Sequence, residues 1–389
     1  MQGNTIVFAL FLIFAGAAVF STLALYTRQS LLVAYMLLGI LLGPWGLQWV
    51  PTTQFVEQTG DVGIIFLLFL LGLHLHPQNL LHLFKKTMWV AIVSTIVFGV
   101  VGFGISDYFG FTLIESFIIA IAMTFSSTII GVKLLPTTVL HHQHIGEIMI
   151  SILLMQDLIA IVALLVIHGF SEGNINIWSW VKIIVALPSL LLVSFILMRY
   201  LLIKLFSRFD RIREYMFLLA IAWCLGMSVL ATLFGLSYEI GAFIGGVSIA
   251  SSSIALYIAE SLKPLRDFFL VMFFFSVGAS FNLQYFNVII IPAIVLAMIM
   301  IGIKPMVFHV LLRQVGESKK VATEIGIRLG QVSEFSLLVG YLAFAGGLID
   351  APASYLIQAA TILTFIASSY LVVLRYPTPM AISDKLRRD

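Results

Sequence analysis

Asp157 is the residue in this sequence with the clearest chemical consequence. It follows Gln156 in "LLMQDLIAIV", residues 153–162, an acid set among leucine, isoleucine and valine. In an apolar medium a lone carboxylate must carry a proton or have a cation beside it, because its bare charge is costly there. Those two states define a site where H+ and a cation compete. Gln156 is an amide, so the dipeptide has one titrating carboxylate, and one monovalent cation exchanges for one proton with no net charge moved. Proton uptake and release by Lys304 as well would make the exchange electrogenic. Gln156, Ser127 and Thr128 offer neutral oxygens of the kind a large, weakly hydrated ion such as K+ prefers. The competing reading is a fixed Asp157–Lys304 pair that only joins two helices.

The other ionisable residues read inside apolar stretches are Lys304, Arg328 and Glu334. Two acids and two bases sum to zero, so mutual pairing would neutralise them all. Arg328 and Glu334 are six apart and share a helical face closely only if the helix breaks between them. The intervening "LGQVSE" places Gly330, Gln331 and Ser333 where such a break would fall. A matching stretch, "MTFSSTIIG", carries Ser126, Ser127 and Thr128 in an earlier span. Polar interruptions at equivalent places in two halves point to an inverted-repeat transporter with crossed discontinuous helices. The plainer alternative is that these hydroxyls bond back to helix carbonyls without any break.

Other polar and small residues carry weaker expectations. "VLHHQHIG" places His141, His142 and His144 in a turn, and "GLHLHPQNLLH" places His74, His76 and His82 at a span end. Histidine titrates near neutrality, but a solvated loop is the plainer reading and the spacing is not that of a metal site. Gly39, Gly43, Pro44 and Gly46, and then Gly241, Gly245 and Gly246, read as small-residue faces for close helix packing. Pro305 directly after Lys304 predicts a kink that frees a carbonyl. Cys224, the single cysteine, excludes an intrachain disulfide or a cysteine-based metal site.

The elements that must position these residues follow from composition. The 389 residues are 61% hydrophobic and only 10% charged, with a mean hydropathy of +1.11; a soluble domain would carry roughly 25% charged residues. This predicts an all-α polytopic membrane protein. A span needs about 20 apolar residues, which gives thirteen, at 5–26, 31–49, 61–76, 88–106, 113–135, 145–168, 178–203, 214–234, 238–256, 262–280, 286–312, 320–346 and 353–374. The tenth reads as interrupted at Ser276 and Gly278. The first lacks a basic leader and reads as a retained span. Of the 21 lysines and arginines, all but Lys182, Lys304 and Arg328 fall on one side of these spans. Glu57, Asp107, Glu172, Glu239 and Asp350 fall on the other. The positive-inside rule then puts the N-terminus outside and the C-terminus in the cytoplasm. A net charge of +3, without a long basic run, argues against a nucleic-acid partner. Residues 1–375 form the membrane domain: repeat one at about 5–168, a linker helix at about 178–203 and repeat two at about 214–374. Residues 376–389 are a cytoplasmic tail, expected to be a natural end or a truncated linker to a regulatory domain.

Seven stretches in order resemble the Kef-type potassium/proton antiporters of the monovalent cation:proton antiporter superfamily. They are "LLGILLGPWGL", "VGIIFLLFLLGLHLHPQNL", "MTFSSTII", "LLMQDLIAI", "GAFIGGVSIASS", "FFFSVGASFNL" and "GIRLGQVSEFSLLVG", within residues 36–340. The resemblance implies thirteen helices, two inverted repeats, and an elevator in which a core bundle slides against a dimerising scaffold. It implies that Asp157 is the ion-binding aspartate and that Gln156 stands where electrogenic sodium/proton relatives have a second aspartate. It further implies that Ser126, Ser127 and Thr128 form the unwound crossing segment, that Lys304 is the basic residue of the core, and that Glu334 is the acid of the second crossing helix. The sequence departs from the family at His74, where a glutamate is usual, and it does not include the family's nucleotide-binding regulatory domain.

The expected function is therefore secondary antiport rather than enzyme catalysis: K+/H+ exchange in the cell inner (plasma) membrane by a homodimer, with a monovalent cation bound at Asp157 and no cofactor in this chain. Na+/H+ exchange on the same fold, a channel-like K+ efflux pore and a membrane sensor or scaffold are the alternatives.

Overall fold

The computed structural model describes residues 3–50, 54–74, 77–127, 144–171, 177–209, 212–252 and 254–376. Among them the chain forms helices and no strands. The first half contains α1 (Gly3–Tyr26), α2 (Leu31–Leu42), α3 (Gln54–His74), α4 (Pro77–Tyr108), α5 (Leu113–Thr124) and α6 (His144–Ser171). Next come α7 (Ile177–Leu197), a π-helical turn at Met198–Leu202, and the short α8 (Ile203–Arg208). The second half contains α9 (Arg213–Leu233), α10 (Tyr238–Ala250), α11 (Ala255–Ala279), α12 (Phe286–Gln314), α13 (Lys319–Arg328), α14 (Glu334–Ala345) and α15 (Ala351–Arg375).

Seven described helices are long and apolar enough to cross a membrane, and five shorter apolar helices accompany them. Their outer faces remain greasy: α1 alone exposes Val7, Phe8, Phe11, Val19 and Leu23. Such a surface suits hydrocarbon and would be an aggregation hazard in water.

Two span expectations change, and the break expected in the twelfth span is present. The second span is helical only to Leu42, because Gly43 and Pro44 turn the chain there. The Gly43 N–H donates to the Gly39 carbonyl at 2.8 Å, and a Cβ on Gly46 would lie 2.3 Å from the carbonyl oxygens of Ile40 and Leu41. These glycines end a helix as well as allowing close packing. The tenth span is not interrupted, since α11 runs through Ser276 and Gly278 to Ala279. Gly278 serves packing instead: a Cβ there would meet the Met36 carbonyl oxygen at 2.1 Å. The twelfth span is two helices, α13 and α14, with residues 329–333 between them.

The chain divides into two compact units, each drawing on both halves of the sequence. One comprises residues 1–51, 83–167 and 277–389 and includes α5, α12, α13, α14, α15 and most of α4 and α6. Its apolar core joins α4 (Val90, Phe98), α6 (Met149, Ile152), α12 (Phe308) and α13 (Ile325). The other comprises residues 52–82 and 168–276. There α3 and α10 approach backbone to backbone at Gly72 and Gly246. A Cβ on Gly246 would lie 2.1 Å from the Phe69 carbonyl oxygen, and one on Gly72 would lie 2.4 Å from that of Phe243. Helices in lipid gain little from burying apolar surface against each other, so close packing of this kind carries much of the association. Gly246→Ala is expected to cost about 1–3 kcal/mol through overpacking, read as a lower melting temperature in detergent. An unchanged melting temperature would mean that α3 and α10 part without penalty.

Candidate functional site

The site is built where two helices stop. α5 ends at Thr124, and Phe125, Ser126 and Ser127 continue in non-helical conformation. α13 ends at Arg328, and the chain stays unwound through Ser333, whose hydroxyl caps α14 by accepting from the Phe335 N–H at 3.1 Å. The two unwound segments bond to each other. The Ser126 hydroxyl donates to the Leu329 carbonyl at 2.9 Å, and the Gln331 amide donates to the Ser127 carbonyl at 3.3 Å. The Ser336 hydroxyl donates to the Ala122 carbonyl and ties α14 to α5.

Lys304 of α12 reaches both segments. Its ammonium donates to the Phe125 carbonyl at 2.6 Å, the Gln331 carbonyl at 3.2 Å and the Ser126 hydroxyl at 3.5 Å. An ammonium has three donors, and these acceptors take three. Phe98 covers it, with the ring centroid 5.1 Å from Nζ. The placement follows from helix physics: the C-terminal ends of α5 and α13 carry partial negative charge and carbonyls without helical partners, and a cation satisfies both. Lys304 is fully buried. α12 continues through Pro305, whose carbonyl oxygen lies against Gly326, where a Cβ would approach to 2.6 Å.

Asp157 and Gln156 lie near the middle of α6, and both are buried. Gln156 holds the first unwound segment from the side: its Oε1 accepts from the Ser126 N–H at 3.1 Å, and its Nε2 donates to the Thr124 carbonyl at 3.4 Å. Asp157 is thus the one carboxylate of a dipeptide whose other member is committed to backbone. Glu334 is buried at the first turn of α14, where the positive end of the helix favours an acid. The structure therefore brings Gln156, Ser126, Ser127 and Lys304 together around the crossed segments. Thr128, His76, His141, His142 and the tail from 377 lie outside the described residues, as do the side chains of His74 and His82. His144 is described, and its ring pairs with Glu317 at 2.9 Å.

The sequence reading left out the acid that answers Arg328. Glu324 lies one turn before it on α13 and accepts from Nε at 3.0 Å and from Nη2 at 2.9 Å. An acid four residues before an arginine is the favourable orientation on a helix, and that spacing was the available signal. The guanidinium also faces the Tyr376 ring at 5.3 Å. Burial first, then the neighbouring Glu324 carboxylate, push the Tyr376 phenol above its ordinary value. Thr364 and Ser368 of α15 were also missed. The Thr364 hydroxyl accepts from the Val332 N–H at 3.1 Å, and the Ser368 hydroxyl donates to the Gln331 side chain at 2.9 Å. Their spacing of four was the sequence signal.

The buried ion pair gives a stability prediction. Glu324→Gln removes this carboxylate from the buried guanidinium and is expected to cost about 3–5 kcal/mol, while Glu324→Gln with Arg328→Gln should recover part of the loss. Thermal denaturation of both variants checks this; equal losses would mean that the pair is not the source.

Comparison with known proteins agrees with this architecture. The family described as sodium/hydrogen exchanger, transmembrane, matches residues 8–374. YbaL of Escherichia coli (strain K12), which is named as a cation/proton antiporter, is 28% identical over 372 residues, covering 92% of this chain. This chain spans 66% of the length of that relative. Among solved structures, the sodium proton antiporter MjNhaP1 from Methanocaldococcus jannaschii at pH 8 superposes with a TM-score of 0.71 at 15% identity, covering 95% of this chain and 96% of the other. That likeness speaks for the fold.

Proposed function

The chain belongs to the sodium/hydrogen exchanger, transmembrane, family, and from that premise we propose that it is a K+/H+ antiporter in which Asp157 binds the proton and the cation in turn. The observation that carries the reading is a buried carboxylate in the middle of α6 beside an amide and a lysine that are both bonded to the unwound segments. Gln156 is bound to backbone at Ser126 and Thr124, and Lys304 to the carbonyls of Phe125 and Gln331. Asp157, buried in the middle of α6, is the titrating member of the dipeptide, which supports one proton for one monovalent cation without net charge moved. In the protonated state the carboxyl is neutral and offers a cation no charge to hold it. Loss of the proton leaves an anion in a low-dielectric core, and a cation neutralises it. Neither state is compatible with the other, and that exclusion is the coupling. A gradient of one pH unit supplies about 1.4 kcal/mol per proton.

The unwound segments put polar backbone and helix-end partial charges at the depth of Asp157, as discontinuous helices do in transporters of this kind. An elevator movement, a homodimer, an inner-membrane location with the N-terminus outside, and the repeat organisation at about 5–168 and 214–374 form part of the same proposal, supported by the resemblance and by the distribution of lysine and arginine.

The experiment is reconstitution in liposomes with an imposed pH gradient, an internal pH dye and a clamped membrane potential. Gradient collapse on adding K+, independent of potential, is expected. Collapse with Na+ alone would make this a Na+/H+ exchanger. K+ current without proton movement would mean a pore and would end the antiport reading.

A further inference from the structure

The face that α15 turns toward α14 and the second unwound segment is polar along its length. Ser354, Gln358, Thr361, Thr364 and Ser368 follow at three- and four-residue spacing, and all are buried. At one end the Ser354 hydroxyl donates to the Gly340 carbonyl at 3.4 Å. At the other end Thr364 donates to the Thr361 carbonyl at 2.9 Å and accepts from Val332. Between them two polar atoms have no protein partner: Oε1 of Gln358 and the hydroxyl of Thr361. These residues are 4% and 0% exposed, so neither atom reaches bulk solvent. Turning the Gln358 amide over only exchanges which of its atoms is unpaired. The Ser354 hydroxyl proton is already directed to Gly340, and the amide's one contact is with that hydroxyl oxygen, at 3.5 Å.

We infer that this face of α15 holds bound water, seated on the Gln358 carbonyl oxygen and the Thr361 hydroxyl, one helical turn from the group that holds the second unwound segment. An unpaired buried polar atom costs about 1–3 kcal/mol, and a buried water typically makes about three hydrogen bonds to groups left in this condition. Apolar cavities stay dry, whereas this position is lined by an amide and a hydroxyl on adjacent turns. Thr361 and Thr364 are joined through the Thr361 carbonyl, and Thr364 bonds to Val332, so the water belongs to the polar scaffold that keeps residues 329–333 unwound.

The test is radiolytic hydroxyl labelling with mass spectrometry, combined with thermal denaturation of Thr361→Val and Thr361→Ser. A bound water generates radicals in place, so the peptide around residues 356–365 is expected to be labelled several-fold faster than the dry cluster around Phe308. Thr361→Val, which keeps the shape and removes the hydroxyl, should lower both the labelling and the melting temperature, and Thr361→Ser should retain both. Labelling no faster than at Phe308, or a melting temperature that rises in Thr361→Val, would overturn the inference, because removing an unpaired polar atom from a dry site is stabilising. None of these readouts involves transport, so they stand or fall apart from the antiport reading.

Discussion

Asp157→Asn is expected to abolish proton-coupled cation flux while leaving the protein folded. The amide has the same shape as the carboxyl group but cannot take up or release a proton, so K+-driven collapse of a pH gradient should fall to the rate of empty liposomes. The substitution also removes a charge from the middle of α6, where Asp157 is 1% exposed. An uncharged group avoids the desolvation cost of a buried ion, so a change in melting temperature reports the burial of that charge separately from transport. Ligand binding separates the two effects. A cation present at 100 times its dissociation constant stabilises the folded state by about 2.7 kcal/mol, and that K+-dependent gain should vanish in Asp157→Asn. In the wild type the gain should be present at high pH and fade as pH falls, because the protonated carboxyl no longer attracts the ion. Transport that survives the substitution would sink the assignment of Asp157.

Lys304→Met should be as damaging to the fold as Asp157→Asn is to transport. The methionine stem fills similar space, but the carbonyls of Phe125 and Gln331 lose their donor. Each unpaired buried group costs about 1–3 kcal/mol, so the two carbonyls together put the loss at about 2–6 kcal/mol. The negative ends of α5 and α13 would then face each other without a cation between them. A sharp fall in melting temperature and in the yield of monodisperse protein is expected. The double variant decides what Lys304 is for. If the lysine served mainly as the counter-ion of Asp157, Asp157→Asn with Lys304→Met would restore stability. If it holds the crossed segments, as its hydrogen bonds indicate, the double variant should remain as unstable as Lys304→Met, with a coupling energy near zero.

Much of this architecture was legible before any coordinates because lipid imposes strong constraints on a chain. Backbone groups in hydrocarbon must be paired internally, so long apolar runs are helices, and the few polar residues within them have a reason to be there. The break between Arg328 and Glu334 was readable from Gly330, Gln331 and Ser333 for this reason. Ser276 and Gly278 misled because glycine has two uses. In α11 the missing side chain lets Met36 approach rather than letting the helix stop, and a one-dimensional pattern does not distinguish them. The second span misled in the opposite sense, since Gly43 and Gly46 were read as a packing face and also form a helix-ending turn.

The sequence by itself determined a helical membrane protein and the position of a single acid beside an amide in the middle of α6. Only the tertiary structure decided what the other polar groups are bonded to. Arg328 takes Glu324, Lys304 takes the carbonyls of two broken helices, and Gln156 takes the backbone at Thr124 and Ser126. The physical reason is range: helix formation and membrane partition are set by residues within a turn or two of each other. The unpaired carbonyls that attract Lys304 come from segments 179 and 27 residues away along the chain, and they exist only once both helices have been broken and crossed.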